Sequence, residues 1–262
     1  MAKKLTLDYK EILIPAGEFY RGTTEEVSKK LLREYGAWAL TLDEEPQRKI
    51  YLDSYYIDKY PVTNEQFELF ELSTGFRTPS LDGDGNWTVG GWGHWKDYYE
   101  KDKESYPVIC IPFDVMYRYA EWAGKRLPTE AEWEQASRGT DKRLWPWGDD
   151  FSPDKCNAKE SKIGHLTPVD KFESYKSPYG CVDMVGNCWE MVSDYYKFNI
   201  DTKRNYYVIS PSANPKGPER GSIGVMKGGS FLNCLADCRC SSRGREHSSA
   251  KPGFRCVRRV IR

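Results

Sequence analysis

Histidine is scarce in this sequence: three residues in 262, at His94, His165 and His247. None sits in a pattern that would hold a His-ligated iron or supply a general base. Charge of one sign is not in excess, because 39 Lys and Arg balance 39 Asp and Glu. That balance speaks against a nucleic-acid partner held through bulk positive charge. Long apolar runs are missing as well: none approaches the roughly 18 residues of a membrane helix, and mean hydropathy is −0.73. No membrane span is expected. Residues Met1 to Asp8 carry positive charge with no apolar stretch behind them, so no secretory leader is read and a cytoplasmic address is expected. Cysteine does not occur before Cys110, and eight follow from there. Without a leader, reduced and mostly buried thiols are expected. Cys234, Cys238, Cys240 and His247 lie close in sequence, but paired C-x-x-C spacing is missing, so zinc is weakly supported. Linkers, low-complexity runs and internal repeats are also missing, and one domain over residues 1–262 is expected.

What the chain does have is aromatic side chains: 9 Trp, 18 Tyr and 10 Phe. Each buries a large area, so the core is expected to be aromatic rather than aliphatic. Dispersed Gly and Pro punctuate the chain into short elements and long irregular segments. An α+β domain with little regular secondary structure follows.

Glu11 to Gly22 reads as two short strands around Pro15-Ala16-Gly17. A charged insertion over about 24–48 carries Val27, Leu31, Leu32 and Tyr35 at approximately helical spacing. Lys49 to Asp58 reads as one strand. Thr63 with Gln66, and Thr129 with Glu132, are capping boxes that predict helices stopped at Gly75 and Gly139. Between them, Pro112 opens a helix with Val115, Met116, Tyr119, Ala120 and Trp122 on its buried stripe, stopped at Gly124. Asp82, Asp84 and Asn86 begin like an EF-hand loop. The next residue is Trp87 rather than Gly, and Gly93 stands where the loop needs its closing Glu. An acidic turn is the reading.

Seven segments, in order, resemble the formylglycine-generating enzyme, or sulfatase-modifying-factor, family. They are Pro15-Ala16-Gly17-Glu18-Phe19 with Gly22, Tyr60 to Phe67, Gly124 to Glu134 and Trp145-Pro146-Trp147-Gly148. Asp183 to Glu190, Lys227 to Phe231 and Gly253-Phe254-Arg255 complete the series. Each motif alone is weak; the ordered set is specific. The resemblance implies a C-type-lectin-like fold of the formylglycine-generating-enzyme type. It also implies that Arg239, Arg243 and Arg255 hold the C-terminal core together through fork-like contacts.

Asp183 and Glu190 bracket a Gly-Asn turn with two carboxylates, and hard oxygen donors of this kind suit calcium. The resemblance implies Ca²⁺ there, bound by Asp183, Glu190 and the carbonyls of Gly186 and Cys188. A second family site would use Asn157 and the carbonyl of Ala158, but Ser161 falls near the place of its Asp partner. No cation is expected there.

The family's enzymes oxidise a target cysteine with copper held by two thiolates, and soft thiolates suit Cu(I). Here the nearest pair is Cys234 and Cys238, with three residues between them. The spacing is tighter and the loop shorter than the enzymes' own, so no catalytic residue is expected. Copper at Cys234 and Cys238, in a metal-dependent oxidase acting on a protein or small thiol, is the alternative. The family's iron-dependent sulfoxide synthases need an additional His-bearing domain, for which this chain has no room.

The segment also resembles the variable proteins of diversity-generating retroelements, which display a changeable ligand site on the same scaffold. Gly228-Gly229-Ser230-Phe231, then Cys238-Arg239, then Gly253-Phe254-Arg255 follow that pattern. Residues 232–234, 237, 242 and 244–248 belong to the set that adenine-directed diversification yields, Glu246 excepted. The expected function is a ligand-binding protein whose face comprises Phe231, Leu232, Asn233, Cys234 and Asp237, with Ser242, Gly244, Arg245 and His247. The expected partner is a protein or other macromolecule. Residues 232–248 show no sustained period and are expected to form an exposed loop surface.

Overall fold

The computed structural model describes residues 10–36, 43–81, 87–88, 95–97, 103–199, 204–245 and 251–260. The chain starts with β1 (Glu11–Ile14) and β2 (Gly17–Arg21), turning at Pro15-Ala16 as the sequence predicts. Helix α1 (Glu25–Tyr35) fills the charged insertion; the Thr24 side chain accepts from Val27 N, and Glu25 and Glu26 occupy its first turn. Acidic residues there complement the positive end of the helix dipole.

The stretch 49–58, expected as one strand, is two: β3 (Arg48–Leu52) and β4 (Tyr55–Asp58). The break sits at Asp53-Ser54. Asp53 N donates to Asn214 Oδ1 at 2.8 Å, and Asn214 Nδ2 donates to Asp53 Oδ2 at 3.0 Å. That reciprocal pair takes the backbone out of one ladder and turns it into another. β3 then pairs with β2, and β4 pairs with β1.

Both capping boxes form. Thr63 and Gln66 open α2 (Asn64–Thr74), and Thr129 and Glu132 open α4 (Glu130–Arg138). α3 (Phe113–Trp122) begins one residue after Pro112. Two short pairs, β5 (Ser80–Leu81) with β6 (Trp87–Thr88) and β8 (Phe198–Asn199) with β9 (Arg204–Asn205), decorate the loops. The remaining strands are β7 (Glu190–Tyr195), β10 (Gly224–Lys227), β11 (Arg243–Arg245), β12 (Gly253–Phe254) and β13 (Val257–Arg259).

The C-terminal strands close the architecture. β12 lies parallel to β7 at one edge of the four-stranded sheet β11-β10-β7-β12. β13, a few residues later, lies antiparallel to β4 in the sheet β1-β4-β13. One short segment therefore ties the N-terminal and C-terminal sheets together.

The core is aromatic. Phe67 meets Trp95 edge-on at 5.3 Å, and Tyr119 meets Phe254 edge-on at 5.3 Å between ring centroids. Such pairs contribute about 0.5–1.5 kcal/mol each beyond their buried area. The three arginines are buried as expected. Arg239 grips Glu44 with two bonds of 2.7 and 2.6 Å, and Arg243 grips Glu130 at 2.6 and 3.1 Å. All eight cysteines are free thiols, and all but Cys234 are buried. No helix among the described residues is long and apolar enough to cross a membrane.

Candidate functional site

The segment after β10 is a series of tight turns. Asn233 N donates to Ser230 O at 3.0 Å, Asp237 N to Cys234 O at 2.9 Å, and Cys238 N to Leu235 O at 3.0 Å. Each turn reverses the chain, so the segment sends side chains alternately inward and outward. Leu235, Ala236 and Cys238 go into the core. Leu232 stands out at 70% exposure, with Asn233, Cys234 and Asp237 half-buried beside it. Gly229, at φ 77°, allows the first reversal: a Cβ there would lie 2.5 Å from Cys238 Sγ. Only glycine fits.

The outward residues are held in place from below. Lys159 N donates to Asn233 O at 2.9 Å, Leu235 N donates to Glu160 Oε2 at 2.8 Å, and Trp145 Nε1 donates to Leu235 O at 3.2 Å. Ser230 Oγ donates to Asn233 Oδ1 at 2.7 Å. The result is a cleft of about 320 Å³ with Leu232, Asn233, Cys234 and Asp237 on one side. Tyr35, Lys159 and Glu160 face them. Its size lies at the lower end for ligand sites. Tyr35 is itself fixed, stacked on Phe151 with centroids 4.9 Å apart. These opposing residues had no signal in a local pattern: α1 reaches the cleft from about 200 positions away in the chain.

Four predicted ligand residues thus come together, and the others do not. Phe231 is half-buried, its N donating to Asn187 O at 3.1 Å, and it does not line the cleft. Ser242 is buried. Gly244 lies in β11, where a Cβ would come within 3.1 Å of the Trp189 ring. Arg245 is exposed, its guanidinium 5.9 Å from the Tyr196 ring centroid. His247 lies outside the described residues. The expectation of an exposed surface over 232–248, apart from the packing residues Arg239 and Arg243, is corrected here. Buried Leu235, Ala236, Cys238, Cys240 and Ser242 interrupt it, because successive turns and the approach to β11 alternate core with surface.

The two cysteines differ. Cys234 Sγ donates to Asp237 Oδ2 at 3.2 Å, and burial together with that carboxylate pushes its thiol up to about 11. Cys238 is fully buried, its Sγ 3.7 Å from Ser230 O, and burial pushes its thiol up further. Both environments favour the protonated thiol, whereas a soft-metal ligand must be a thiolate. Among the described residues, no group of three or more His, Cys, Asp and Glu side chains is placed to hold a metal ion.

The expected calcium loop is tightly wound. Asp183, Gly186 and Asn187 all have positive φ, at 60°, 78° and 59°. A Cβ at Gly186 would fall 2.6 Å from Asn157 O. Asn187 Nδ2 donates to Asp183 Oδ2 at 2.6 Å. Asp183 Oδ1 is buried with no partner, and burial pushes the carboxyl up to about 8. An orphaned buried carboxylate oxygen is what a cation satisfies. Glu190 is already engaged: Arg255 Nε donates to Oε2 at 2.7 Å, Arg255 Nη2 to Oε1 at 2.6 Å, and Trp133 Nε1 to Oε2 at 2.9 Å. A calcium ion therefore fits Asp183 better than Glu190, which would have to be shared with a guanidinium. At the second family position, Ser161 Oγ donates to Ala158 O at 2.7 Å and reaches Asn157 Oδ1 at 3.5 Å.

Comparison with known proteins agrees with this architecture. Residues 2–260 match the sulfatase-modifying factor enzyme 1-like domain. The chain is 30% identical over 297 aligned positions to the formylglycine-generating enzyme of Mus musculus, spanning 95% of this chain and 74% of the mouse protein. The solved structure of PvdO from Pseudomonas aeruginosa superposes with a TM-score of 0.75 at 22% identity, over 95% of this chain and 94% of PvdO. Treponema denticola variable protein 1 superposes with a TM-score of 0.67 at 19% identity, over 95% of each chain. At these identities the two structures speak for the fold, which is the C-type-lectin-like one.

Proposed function

The chain belongs to the sulfatase-modifying factor enzyme 1-like family, and from that premise we propose that it is a ligand-binding protein rather than an oxidase. The observation that carries this reading is the cleft built by Leu232, Asn233, Cys234 and Asp237. Its outward side chains hang on a backbone fixed by turns, Gly229 and the Lys159 and Glu160 contacts. Such a frame tolerates changes at its tips, and binding residues concentrate on loops held this way. The ligand we propose is a protein or other macromolecule that inserts a side chain into the cleft. Calcium at Asp183, with the Gly186 and Cys188 carbonyls, would supply charge compensation to the loop beneath; it has no part in ligand contact.

The oxidase reading draws on the family relationship and on Cys234 facing the cleft. Burial of Cys238 and the raised thiols of both residues count against it.

A library randomised at residues 232, 233, 234 and 237, displayed on yeast, tests the proposal. Most variants should retain the wild-type melting temperature, and panning against a panel of unrelated proteins should yield binders. General loss of folding across the library would reject it.

A further inference from the structure

We propose that a second cleft, assigned no role above, binds a small organic anion with an apolar body. The cleft measures about 890 Å³ and shares no lining residue with the one at 232–237. That volume is in the range of ligand pockets.

Its walls are fixed. One is the corner between β3 and β4, at Asp53 and Ser54. A second is the 214–216 segment, clamped to the corner: Tyr51 N donates to Ser212 O and Asn214 N to Tyr51 O, both at 2.8 Å. The Asp53–Asn214 side-chain pair locks the same junction. The third is the Arg126–Thr129 stretch that leads into α4. Leu52 and Leu127, almost fully buried, form an apolar floor with Tyr55.

Charge decides the ligand class. Five ionisable acids and bases line the cleft: Asp53, Glu132, Arg126, Lys216 and Arg259. Both acids are satisfied internally. Glu132 accepts from Arg126 Nη1 and Nη2 at 2.7 and 2.6 Å and from Thr129 N at 2.8 Å. Asp53 accepts from the Asn214 amide. Among the described residues, Lys216 and Arg259 pair with no carboxylate, and both are exposed. Arg126 neutralises Glu132, and the remaining Lys216 and Arg259 outweigh Asp53, so the cleft carries a net charge of +1 with two exposed cations over an apolar floor. A carboxylate or phosphate on an aliphatic or aromatic body complements both, and the guanidinium fork suits either oxyanion.

Phenyl phosphate, 3-phenylpropionate and neutral 3-phenyl-1-propanol, titrated against the full chain by NMR, test the assignment. At least one anion should bind at least about fivefold tighter than the alcohol, as about 1 kcal/mol from exposed charges gives. The stronger anion identifies the preferred oxyanion. The Lys216→Gln/Arg259→Gln variant should lose that preference while its melting temperature stays unchanged, and 0.5 M salt should weaken anion binding. The assignment is overturned if neither anion binds by about 10 mM, if the alcohol binds as well as both anions, or if the double variant keeps the preference.

Discussion

The Arg255 guanidinium holds both oxygens of Glu190, at 2.7 Å to Oε2 and 2.6 Å to Oε1, with neither side chain more than 1% exposed. The pair joins two regions that the fold must bring together. Glu190 starts β7, and Arg255 lies between β12 and β13; it also donates to the carbonyls of Asp58, Lys59 and Val182. Breaking one partner of a buried ion pair leaves the other charge uncompensated and costs about 3–5 kcal/mol. Glu190→Gln should therefore lower stability by that amount in urea denaturation. A loss under about 1 kcal/mol, typical of an exposed pair, would contradict the burial described.

Calcium should stabilise the protein through Asp183. The orphaned Oδ1 is present in the folded loop, where Asn187 and Gly186 hold the backbone at positive φ. A ligand that binds only the native state adds about 2.7 kcal/mol at a concentration of 100 times its Kd. For a chain of this size that is roughly 5–10 °C in Tm. Thermal melts with calcium and with chelator should differ by this order, and Asp183→Asn should remove the difference. Identical melts for the wild type would eliminate the calcium proposal.

Much of this arrangement is legible in the sequence where the cause is local. The boxes at Thr63 and Thr129 are written within four residues each, and both form. Ser161 stands near the place of a ligand carboxylate, and its hydroxyl donates to the Ala158 carbonyl at 2.7 Å. What is not legible depends on distant partners. Lys49 to Asp58 has continuous strand propensity, and the break at Asp53 comes from Asn214, 161 positions away. Ser242 has the chemistry of an exposed ligand residue, but the entry into β11 buries it. Tyr35, Lys159 and Glu160 gain their place in the cleft from tertiary packing alone.

Acid should unfold the protein partly through Glu130. Burial alone would raise its carboxyl, but Arg243, Lys227 and Arg21 outweigh burial and bring it from 4.5 down to about 2. The folded state thus favours the ionised form. Its contribution is complete above pH 4.5 and is lost as pH falls toward about 2. Asp194 shifts the other way, upward through burial and then through Glu130, and titrates above this window. Stability measured from pH 5 to pH 2 should fall steeply in the wild type and less steeply in Glu130→Gln. Equal slopes would rule out the Arg243–Glu130 pair as the cause.

Cu(I) should not bind tightly to the Cys234 and Cys238 pair. Both thiols are raised, and Cys238 is fully buried. Anaerobic titration of the reduced protein against a Cu(I)-selective chelator should leave copper with the chelator. Stoichiometric retention that disappears in both Cys234→Ser and Cys238→Ser would instead favour the oxidase.

Substitutions at the cleft should separate from substitutions in the core within the same C-terminal segment. Leu232 is 70% exposed, and half-buried Asp237 accepts from half-buried Cys234 on the rim at 3.2 Å. Phe254 is fully buried, meets Tyr119 edge-on at 5.3 Å, and pairs its backbone with Met191 in β7. Leu232→Ala should change stability by no more than about 0.5 kcal/mol, as at ordinary surface positions. Phe254→Ala should cost about 3–5 kcal/mol through lost transfer energy and the cavity left behind. Ser242, buried just before β11, separates two views of the segment. If the whole of 232–248 were a display surface, Ser242→Leu would be neutral. In the structure described here it overpacks the core and should cost about 1–3 kcal/mol. Urea denaturation of the three variants decides between them. A neutral Ser242→Leu would restore the continuous surface, and a Leu232→Ala loss matching Phe254→Ala would place the cleft itself in the core.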